Sequence, residues 1–371
     1  MTGTHDVTHD GAQATLLAVN AGSSSLKLAL FRGDATDAVT EHLRITRDHH
    51  AGKAVRCSGG DAANLELLPE SASDGEFLAA LCARIKPSRV VHRVVHGGEE
   101  SRFCVAIDAA ERARLHALSA LAPLHQPPAL RLIDALAHAQ PALPQFACFD
   151  TAFHAGMPAV ARDYALPAAL RARHPNLHVF GFHGISCQAA VENLRAGGEL
   201  PARLVIAHLG SGASVTAVLN GRSVATSMGF SALEGLVMAT RPGRLDAGVL
   251  LYLLRHETAD AGALEELLYR QSGLLGYSAL SADMRVLLAS DEAAAQAAVD
   301  LFVYRAAQEI AALCVALGGI DTLLFTGGIG ENQPQIRERI AGRLRFLGDF
   351  RVRVLACDEE RAMVEAAIRA A

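Results

Sequence analysis

Residues 204 to 246, LVIAHLGSGASVTAVLNGRSVATSMGFSALEGLVMATRPGRLD, decide the fold of this chain. The segment opens with the apolar run Leu204 to Ala207, breaks at His208 to Gly212, and resumes as Ser214 to Leu219. A tight turn is then predicted at Asn220 and Gly221, because Asn-Gly tolerates the positive φ angles of a hairpin. The pattern predicts two strands joined by a Gly/Ser turn and a hairpin into a third strand.

The stretch Leu16 to Phe31 repeats this pattern of apolar strand, small polar turn and amphipathic strand. Such turns leave backbone N–H groups pointing outward, and their small side chains allow an anion to come close. Most Gly/Ser turns between strands are only hairpin connections, so a single copy indicates little. Two copies in one chain favour a duplicated phosphate-binding unit.

The composition is that of a soluble globular protein. The 371 residues suffice for two domains of ordinary size, and 51% of them are apolar while 20% are charged. The net charge of −5 gives no general attraction for nucleic acid. No uncharged apolar run reaches membrane-spanning length, and the polar stretch Met1 to Ala14 has no secretory pattern. We therefore expect a disordered tail over 1–14 and a cytoplasmic protein without nucleic-acid or membrane partners.

The cysteines and histidines indicate neither a disulfide framework nor a metal site. The seven cysteines are scattered, odd in number and without a CxxC pair, which favours reduced thiols. His92 and His96 are interpreted as structural residues of a β-branched strand. Arg93 lies in the same strand and is costly to bury unless paired, so either a core carboxylate or an anionic ligand is expected beside it.

The rest of the chain alternates helical and strand patterns, as in an α/β protein. Residues 38–68 are predicted to hold further strands and loops, and 123–128 an ordered proline-rich loop. Residues 179–187 are predicted as a strand and a glycine turn before a helix, and 326–332 as a third glycine turn. Helices are predicted over 76–86, 109–121, 129–140, 165–173, 188–195, 248–256, 264–271, 291–317, 335–344 and 358–370. Strands are predicted over 90–98, 146–154, 320–325 and 351–355.

Ten motifs, taken together and in order, resemble the acetate kinase family, within the group of sugar kinases, actin and Hsp70-type ATPases. They are VNAGSSSLKL (19–28), HRVVHGG (92–98), LAPLH (121–125), FDTAFH (149–154), FGFHGIS (180–186), IAHLGSGAS (206–214), TSMGFSALEG (226–235), TRPG (240–243), FTGGIGEN (325–332) and DEE (358–360). The resemblance implies an α/β fold of two duplicated actin-like (ribonuclease H-like) domains around a nucleotide cleft. It places them at 15–150 and 151–371, with the last helix a candidate to pack back on the first domain.

The resemblance also implies a reaction and its cofactors. The family transfers a phosphoryl group reversibly between ATP and a short-chain carboxylate, with Mg²⁺ (or Mn²⁺) and as a homodimer. Arg93 and Arg241 match the family's active-site arginines, Asp150 its aspartate and His183 its phosphoryl-stabilising histidine. The guanidinium groups of arginine and other positioned hydrogen-bond donors suit this chemistry. The loose transition state of phosphoryl transfer spreads negative charge over the equatorial oxygens of the transferred group, and these donors stabilise that charge.

Further site residues are carried over by position. Asn20 and Glu359 match the metal site, and a sparse oxygen set is typical of Mg²⁺. The nucleotide-binding positions are Lys27, His208, Gly210, Ser211, Gly212, Asp283, Met284, Arg285, Gly327, Gly328, Ile329 and Asn332. The acyl-pocket positions are Val95, Leu124, Phe182 and Ala232.

Several residues depart from the family pattern. Ser211 stands for Asn, Cys187 for His and Gln126 for Asn, and Pro242 and Arg244 alter the run after Arg241. Ala232 stands where the family has a proline of the acyl pocket, which predicts room for propionate besides acetate. Two alternatives stay open: a butyrate kinase-like enzyme for a longer acid, and an inactive nucleotide-binding regulatory module.

Overall fold

The structure is a computed structural model that describes residues 14–22, 25–33, 39–48, 55–59 and 72–370. Of the expected tail, residues 1–13 lie outside the described residues, and Ala14 is the first residue of a strand. The described chain divides into two compact units. The first comprises described residues of 1–96, 102–149 and 359–371, and the second comprises 97–101 and 150–358. The domain division at residues 150 and 151 stays a prediction.

The described part of the first unit is built on a seven-stranded sheet in the order β4-β3-β2-β1-β5-β7-β6. β1 to β4 are antiparallel neighbours, β5 and β7 continue parallel to β1, and β6 returns antiparallel at the edge. The strands are β1 (Ala14–Ala21), β2 (Ser25–Gly33), β3 (Val39–Asp48), β4 (Val55–Gly59), β5 (Arg89–Val94), β6 (Cys104–Ala106) and β7 (Gln145–Phe149). The hairpin predicted over Leu16 to Phe31 is therefore confirmed as β1 and β2.

Helices pack against this sheet. They are α1 (Asp74–Ile85), α2 (Ala109–Ala117), α3 (Gln126–Ala139) and the last helix, α14 (Glu359–Arg369). α1 begins at a capping box between Ser73 and Glu76. α14 buries Met363 and Val364, and Arg89 of β5 donates to the carbonyl of Ala367, 3.2 Å away. The last helix thus lies on the sheet of the first unit.

The second unit holds a five-stranded sheet, in its described residues, of order β10-β9-β8-β11-β12. The strands are β8 (Arg203–Leu209), β9 (Ala213–Leu219), β10 (Arg222–Thr226), β11 (Thr322–Thr326) and β12 (Arg351–Val354). The three strands predicted after residue 204 are confirmed as β8 to β10. The strand directions of β10-β9-β8-β11-β12 repeat those of β3-β2-β1-β5-β7, so the two sheets share one topology.

The second unit also contains helices. They are α4 (Ala159–Arg162), α5 (Ala168–Arg173), α6 (Gly184–Ala196), α7 (Ala247–His256), α8 (Ala261–Arg270), α9 (Gly273–Ser278), α10 (Met284–Ala289), α11 (Ala293–Leu317), α12 (Gly327–Asn332) and α13 (Pro334–Arg343). Of these, α4, α6, α11 and α12 contact this sheet. α11 ends at Gly318, whose φ of 65° terminates the helix in the left-handed region. None of the described helices is long and apolar enough to cross a membrane.

Three local predictions are wrong, because a helix begins inside each of three segments that were predicted as strand, loop or turn. α6 starts at Gly184, and 179–182 forms no strand. The preceding residue, His178, makes only an isolated bridge with Asp163. α3 starts at Gln126, because Pro127 and Pro128 occupy the first turn, where proline loses no hydrogen bond. The glycines of 327–330 lie within α12 rather than in a turn. Tertiary packing overrides the low helix propensity of glycine at these sites.

Two other helices, in contrast, begin later than predicted. α5 begins at Ala168 rather than at residue 165, since Pro167 is its N-cap. The acidic residues Asp291 and Glu292 precede α11 instead of occupying its first turn. All seven cysteines, which lie among the described residues, are free thiols, as predicted.

Two buried histidines make stability depend on pH. His92 and His154 are each 1% exposed, and burial lowers the pKa of each imidazole to about 4. The unfolded chain therefore binds more protons between pH 4 and 6.5, so stability is complete above that range and falls with pH through it. We expect each histidine to lower the free energy of unfolding by about 2 kcal/mol when the pH falls from 7 to 5.

Urea unfolding at pH 7 and pH 5 tests this prediction. The variant His92→Gln, which has no group that titrates in this range, should lose less stability between the two pH values than the wild type. The exposed His174→Ala serves as the control and should keep the full loss. Equal losses in the wild type and His92→Gln would contradict the assignment.

Candidate active site

Two polar side chains of the second unit, those of Arg241 and His183, meet at the turn between β8 and β9. The turn is tight, because Gly210 N–H donates to the carbonyl of Gly212 at 2.9 Å. A Cβ atom added to Gly212 would lie 2.9 Å from Nη2 of Arg241 and 3.1 Å from Nε2 of His183. Only glycine leaves room there, because the guanidinium of Arg241 and the imidazole of His183 both face this turn.

His183 is held in place from three sides. It has a φ of 58° and immediately precedes α6, whose first N–H, at Gly184, donates to the carbonyl of Asp150 at 2.8 Å. Its Nδ1 lies 2.9 Å from the hydroxyl of Ser214, and its ring stacks on His208 with 4.2 Å between centroids. Since Nδ1 is engaged, Nε2 is the nitrogen that faces Gly212.

Asp150 follows β7 directly and is 1% exposed. A Cβ atom on Gly184 would lie 2.3 Å from the Asp150 carbonyl, so glycine is required for this close approach. The backbone of Asp150 thus lies beside the start of α6 and next to His183. His208, on the other side of the histidine stack, is oriented by Ser186, whose hydroxyl lies 2.8 Å from Nδ1.

Arg241 is positioned by the loop that follows β10. Its Nη1 donates to the carbonyl of Ala232 at 2.7 Å, which leaves Nη2 toward Gly212. Tyr269 lies near this loop and hydrogen-bonds to Ser231. Burial raises the pKa of the Tyr269 hydroxyl, against the opposing effects of Ser231 and the Arg241 charge. The guanidinium therefore has a fixed orientation at this turn.

The first unit carries a second polar group at the ends of β1, β5 and α14. Nη1 of Arg93 donates to Oδ1 of Asn20 at 3.2 Å, and Nε of Arg93 lies 4.0 Å from Oε2 of Glu359. Nδ2 of Asn20 lies 3.5 Å from the same Glu359 oxygen. The carboxylate expected beside Arg93 is therefore present, and Asn20, Arg93 and Glu359 lie together.

Glu360, which was not predicted as a site residue, is the more deeply held carboxylate of this group. It is 6% exposed, accepts from Nδ2 of Asn20 at 3.0 Å and pairs with Arg44 at 3.2 Å. Burial raises the pKa of this carboxyl, but the Asn20 hydrogen bond and the charges of Arg44 and Lys27 bring it below its usual value. The acidic pair in DEE was the only sequence signal for Glu360. No sequence signal pointed to Arg44.

Lys27 is exposed on β2 and lies directly opposite Asn20 in the antiparallel register. Its charge is the smallest of the effects that lower the pKa of the Glu360 carboxyl. In an antiparallel pair, residues directly opposite each other project to the same face of the sheet. Lys27 therefore contributes positive charge to the Asn20 side of the first-unit sheet.

The predicted adenosine positions lie on α10 and α12 of the second unit. Asp283 is the N-cap of α10, and its carboxylate binds Arg285 through Nη2 at 2.6 Å, which holds the pKa of Asp283 below its usual range. Met284 is buried, whereas Arg285 is exposed. Gly327, with a φ of 77°, opens α12, and Asn332 donates to the carbonyl of Gly328 at 2.9 Å.

Glu331 fixes the start of α12 and was missed by the sequence analysis. Its Oε1 accepts hydrogen bonds from the backbone of Gly327 at 3.0 Å and of Cys357 at 3.0 Å. The hydroxyl of Thr326 lies 3.4 Å from the same oxygen. One carboxylate therefore ties the end of β11, the glycine segment and the chain after β12 together. The available sequence signal for Glu331 was its place in the motif GGIGEN (327–332).

The acyl-pocket positions are distributed over both units. Val95 follows β5 and Leu124 precedes α3, and both are partly buried. Phe182 and Ala232 are buried, at 3% and 9% exposure. Ala232 is the residue whose carbonyl holds Arg241, so the predicted pocket position and the arginine are in direct contact.

Three of the residues that depart from the family pattern, Gln126, Cys187 and Arg244, have local partners. The buried Gln126 makes a pair of hydrogen bonds with the backbone of His96, at 3.1 and 3.0 Å. Cys187 is buried with its thiol 3.6 Å from the Thr216 hydroxyl. Arg244 is exposed, and its charge counteracts the rise that burial causes in the pKa of Glu309. Nothing in the structure explains Pro242.

Known proteins are similar to this chain over nearly its whole length. The model of the Acetokinase family matches residues 15–367. The acetate kinase of Rhodopseudomonas palustris (strain ATCC BAA-98 / CGA009) is 45% identical over 348 residues, covering 90% of this chain and 87% of that protein.

Solved structures show the same fold. A propionate kinase from Francisella tularensis subsp. tularensis SCHU S4 is 32% identical with a TM-score of 0.83, covering 95% of this chain and 98% of that one. The acetate kinase of Porphyromonas gingivalis is 28% identical with a TM-score of 0.78, covering 96% and 99%. The repeated sheet topology is thus the duplicated actin-like fold predicted from the sequence. Since the family model spans nearly the whole described chain, the chain belongs to the acetokinase family.

Proposed function

We propose that this chain is an ATP-dependent kinase that reversibly phosphorylates a short-chain carboxylate to an acyl phosphate by direct in-line transfer. The observation that carries the proposal is the meeting of Arg241 and His183 at Gly212. Reaction of a carboxylate with ATP brings two anions together, and positioned donors offset the charge that develops on the transferring group. The carboxylate is ionised near neutral pH, so the reaction needs no strong general base.

In the second unit, the two side chains have complementary roles. Arg241 presents Nη2 toward the turn while Ala232 holds Nη1, so the guanidinium binds a phosphoryl oxygen without reorientation. His183 presents Nε2 at the same place and is kept there by Ser214. We assign His208, Gly210, Ser211 and Gly212 to the nucleotide phosphates. Asp150 anchors the start of α6 through its backbone and thereby positions His183.

In the first unit, the polar group fits Mg²⁺ at Glu359. Carboxylate oxygens are hard ligands, and Mg²⁺ keeps several waters, so few protein ligands are needed. Oδ1 of Asn20 already accepts from Arg93, so we assign Asn20 to orienting Arg93 and the carboxylates. When bound, Mg²⁺ supplies positive charge to phosphate oxygens. Arg93, with Nη1 held by Asn20, supplies a fixed cation for an anionic substrate.

We assign the adenosine site to Asp283, Met284, Arg285, Gly327, Gly328, Ile329 and Asn332, with Lys27 as a further cation for the nucleotide.

Glu331→Ala is expected to raise the KM for ATP about tenfold, because buried backbone donors lose their acceptor. The kcat should stay within a few-fold, since the donor groups at Gly212 are untouched. Steady-state kinetics with ATP as the varied substrate measures this split.

Matched variants separate this role from general destabilisation. Glu331→Gln keeps an oxygen acceptor and should fall between the wild type and Glu331→Ala. The exposed Glu338→Ala on α13 is the control and should leave the KM unchanged. A Glu331→Ala enzyme with the wild-type KM for ATP would show that the carboxylate does not shape the nucleotide site.

We assign substrate choice to the acyl-pocket positions Val95, Leu124, Phe182 and Ala232. Two solved relatives carry the names propionate kinase and acetate kinase, so both acids are candidates for this chain. Ala232 lacks the ring carbons of proline, and one methylene in a packed pocket changes discrimination by about 10- to 200-fold. We expect kcat/KM for propionate to be at least that for acetate. In Ala232→Pro the ratio should shift toward acetate by about tenfold.

The experiment that tests the proposed function is a hydroxamate trap for acyl phosphate with ATP, Mg²⁺ and acetate, propionate or butyrate. Product from acetate or propionate is expected. A preference for butyrate would replace the proposal with the longer-acid alternative, and no product from any acid would favour the inactive regulatory module. A steep fall in kcat/KM from acetate to propionate would contradict the interpretation of Ala232.

We also propose a cytoplasmic homodimer. The seven free thiols fit a reducing compartment. α7 has no buried residue and exposes Val249, Leu251 and Tyr252, although it is largely apolar. Such a face is suited to burial against a second copy of the chain. Light scattering measures the mass, and Tyr252→Glu should shift it toward the monomer if α7 forms the interface. A monomeric wild type would disprove the dimer.

A further inference from the structure

Two cysteines of the first unit face each other across neighbouring strands. Cys104 of β6 is directly opposite Cys148 of β7 in the antiparallel register. The hydrogen bond from Phe149 N–H to the carbonyl of Phe103 joins the residues that flank this pair. Cys104 and Cys148 are therefore a non-hydrogen-bonded pair, the type in which the strands and their side chains are closest.

The surroundings of the two thiols give them different access to solvent. Cys148 is fully buried, and its thiol lies 3.8 Å from the carbonyl of Met363 on α14. Cys104 is partly exposed on β6, the edge strand of the sheet. Residues directly opposite in an antiparallel pair project to the same face. An oxidant can thus reach Cys104, with the second thiol adjacent to it inside the sheet.

We propose that Cys104 and Cys148 form a reversible cross-strand disulfide on exposure to hydrogen peroxide, and that this bond lowers the kinase activity. The Cys104 thiol reduces the peroxide O–O bond, becomes a sulfenic acid and releases one water. The Cys148 sulfur then attacks the sulfenic sulfur. The S–S bond forms, the S–O bond breaks, and the hydroxyl leaves with the Cys148 proton as a second water. A dithiol reductant restores both thiols by exchange.

The bond acts on residues of the proposed site. Cys148 is in register with Arg93 on its other neighbour, β5, and it lies two residues before Asp150. Cβ atoms of a non-hydrogen-bonded pair are about 4.5–5.5 Å apart, whereas a disulfide needs about 3.8 Å. Closing the bond therefore draws β7 toward β6 by about 1 Å. A displacement of that size near reacting groups lowers rates by up to about a hundredfold.

The test uses the full chain treated with hydrogen peroxide, then alkylated and digested without reduction. Mass spectrometry should find a peptide linked through Cys104 and Cys148 in the wild type. It should also find that peptide in Cys57→Ser, which removes an exposed cysteine of β4. The hydroxamate rate should fall about tenfold and return with dithiothreitol. Cys104→Ser should give no linked peptide and keep its rate, and Cys104→Ala should behave likewise.

Absence of the linked peptide under conditions that oxidise Cys57 would overturn the disulfide. A linked peptide with an unchanged rate, or an equal loss of rate in Cys104→Ser, would overturn its effect on activity. This effect rests on the proposed function. The linked peptide does not, so a chain without kinase activity can still confirm or overturn the disulfide.

Discussion

Replacing Arg241 with alanine is expected to lower kcat for acyl phosphate formation by about a thousandfold, the cost of losing a cationic donor to the transferring group. Nη2 of this arginine would contact a Cβ placed on Gly212, so its donors lie at the surface of the turn between β8 and β9. The loss should therefore appear in kcat and not only in KM. Rapid-quench or hydroxamate assays at saturating ATP and acid measure it.

Two further variants define the reason for the loss. Arg241→Lys keeps the charge but cannot both bind the Ala232 carbonyl and face Gly212, so it should recover only a small part of the rate. Arg173→Ala, at the exposed end of α5, removes the same charge elsewhere in the unit and should be silent. A loss below tenfold in Arg241→Ala would mean that this arginine does not stabilise the transferring group.

His183→Ala is expected to lower kcat by about a hundredfold, as for the removal of one positioned hydrogen-bond donor. Nε2 lies at Gly212, and Ser214 and His208 hold the ring, so alanine removes a preorganised group. The φ of 58° adds a backbone cost, because alanine tolerates the left-handed region poorly. Kinetics combined with a thermal melt separates the two effects.

His183→Asn is the informative partner variant. Asparagine adopts the left-handed conformation readily, so it preserves the start of α6 while removing the imidazole. It should match His183→Ala in kcat but melt closer to the wild type. Ser214→Ala frees the ring and should cost several-fold in kcat, whereas His174→Ala should cost nothing. Wild-type kcat in His183→Asn would assign His183 a purely structural role.

The strands were predictable because their signals are local. Apolar runs that end at Asn-Gly or Gly/Ser turns specify a hairpin within about ten residues, so β1, β2 and β8 to β10 could be found from the sequence. The helix starts at Gly184 and Gly327 could not be found from the sequence. Glycine normally disfavours a helix, and only the close approach of Asp150 and Leu209 backbone explains its presence there.

The proposed site likewise has some features that the sequence determines and others that only the tertiary structure decides. The sequence by itself determined the family, the duplicated topology and the residue types at the proposed site, because these follow from motifs and short-range patterns. Only the tertiary structure decided which partners orient them: Asn20 meets Glu360 from 340 positions away, and one Glu331 oxygen binds both Gly327 and Cys357. Likewise Cys104 and Cys148 become neighbours solely through strand register. Such contacts depend on which strands pair and which helix covers them, and no local pattern records that choice.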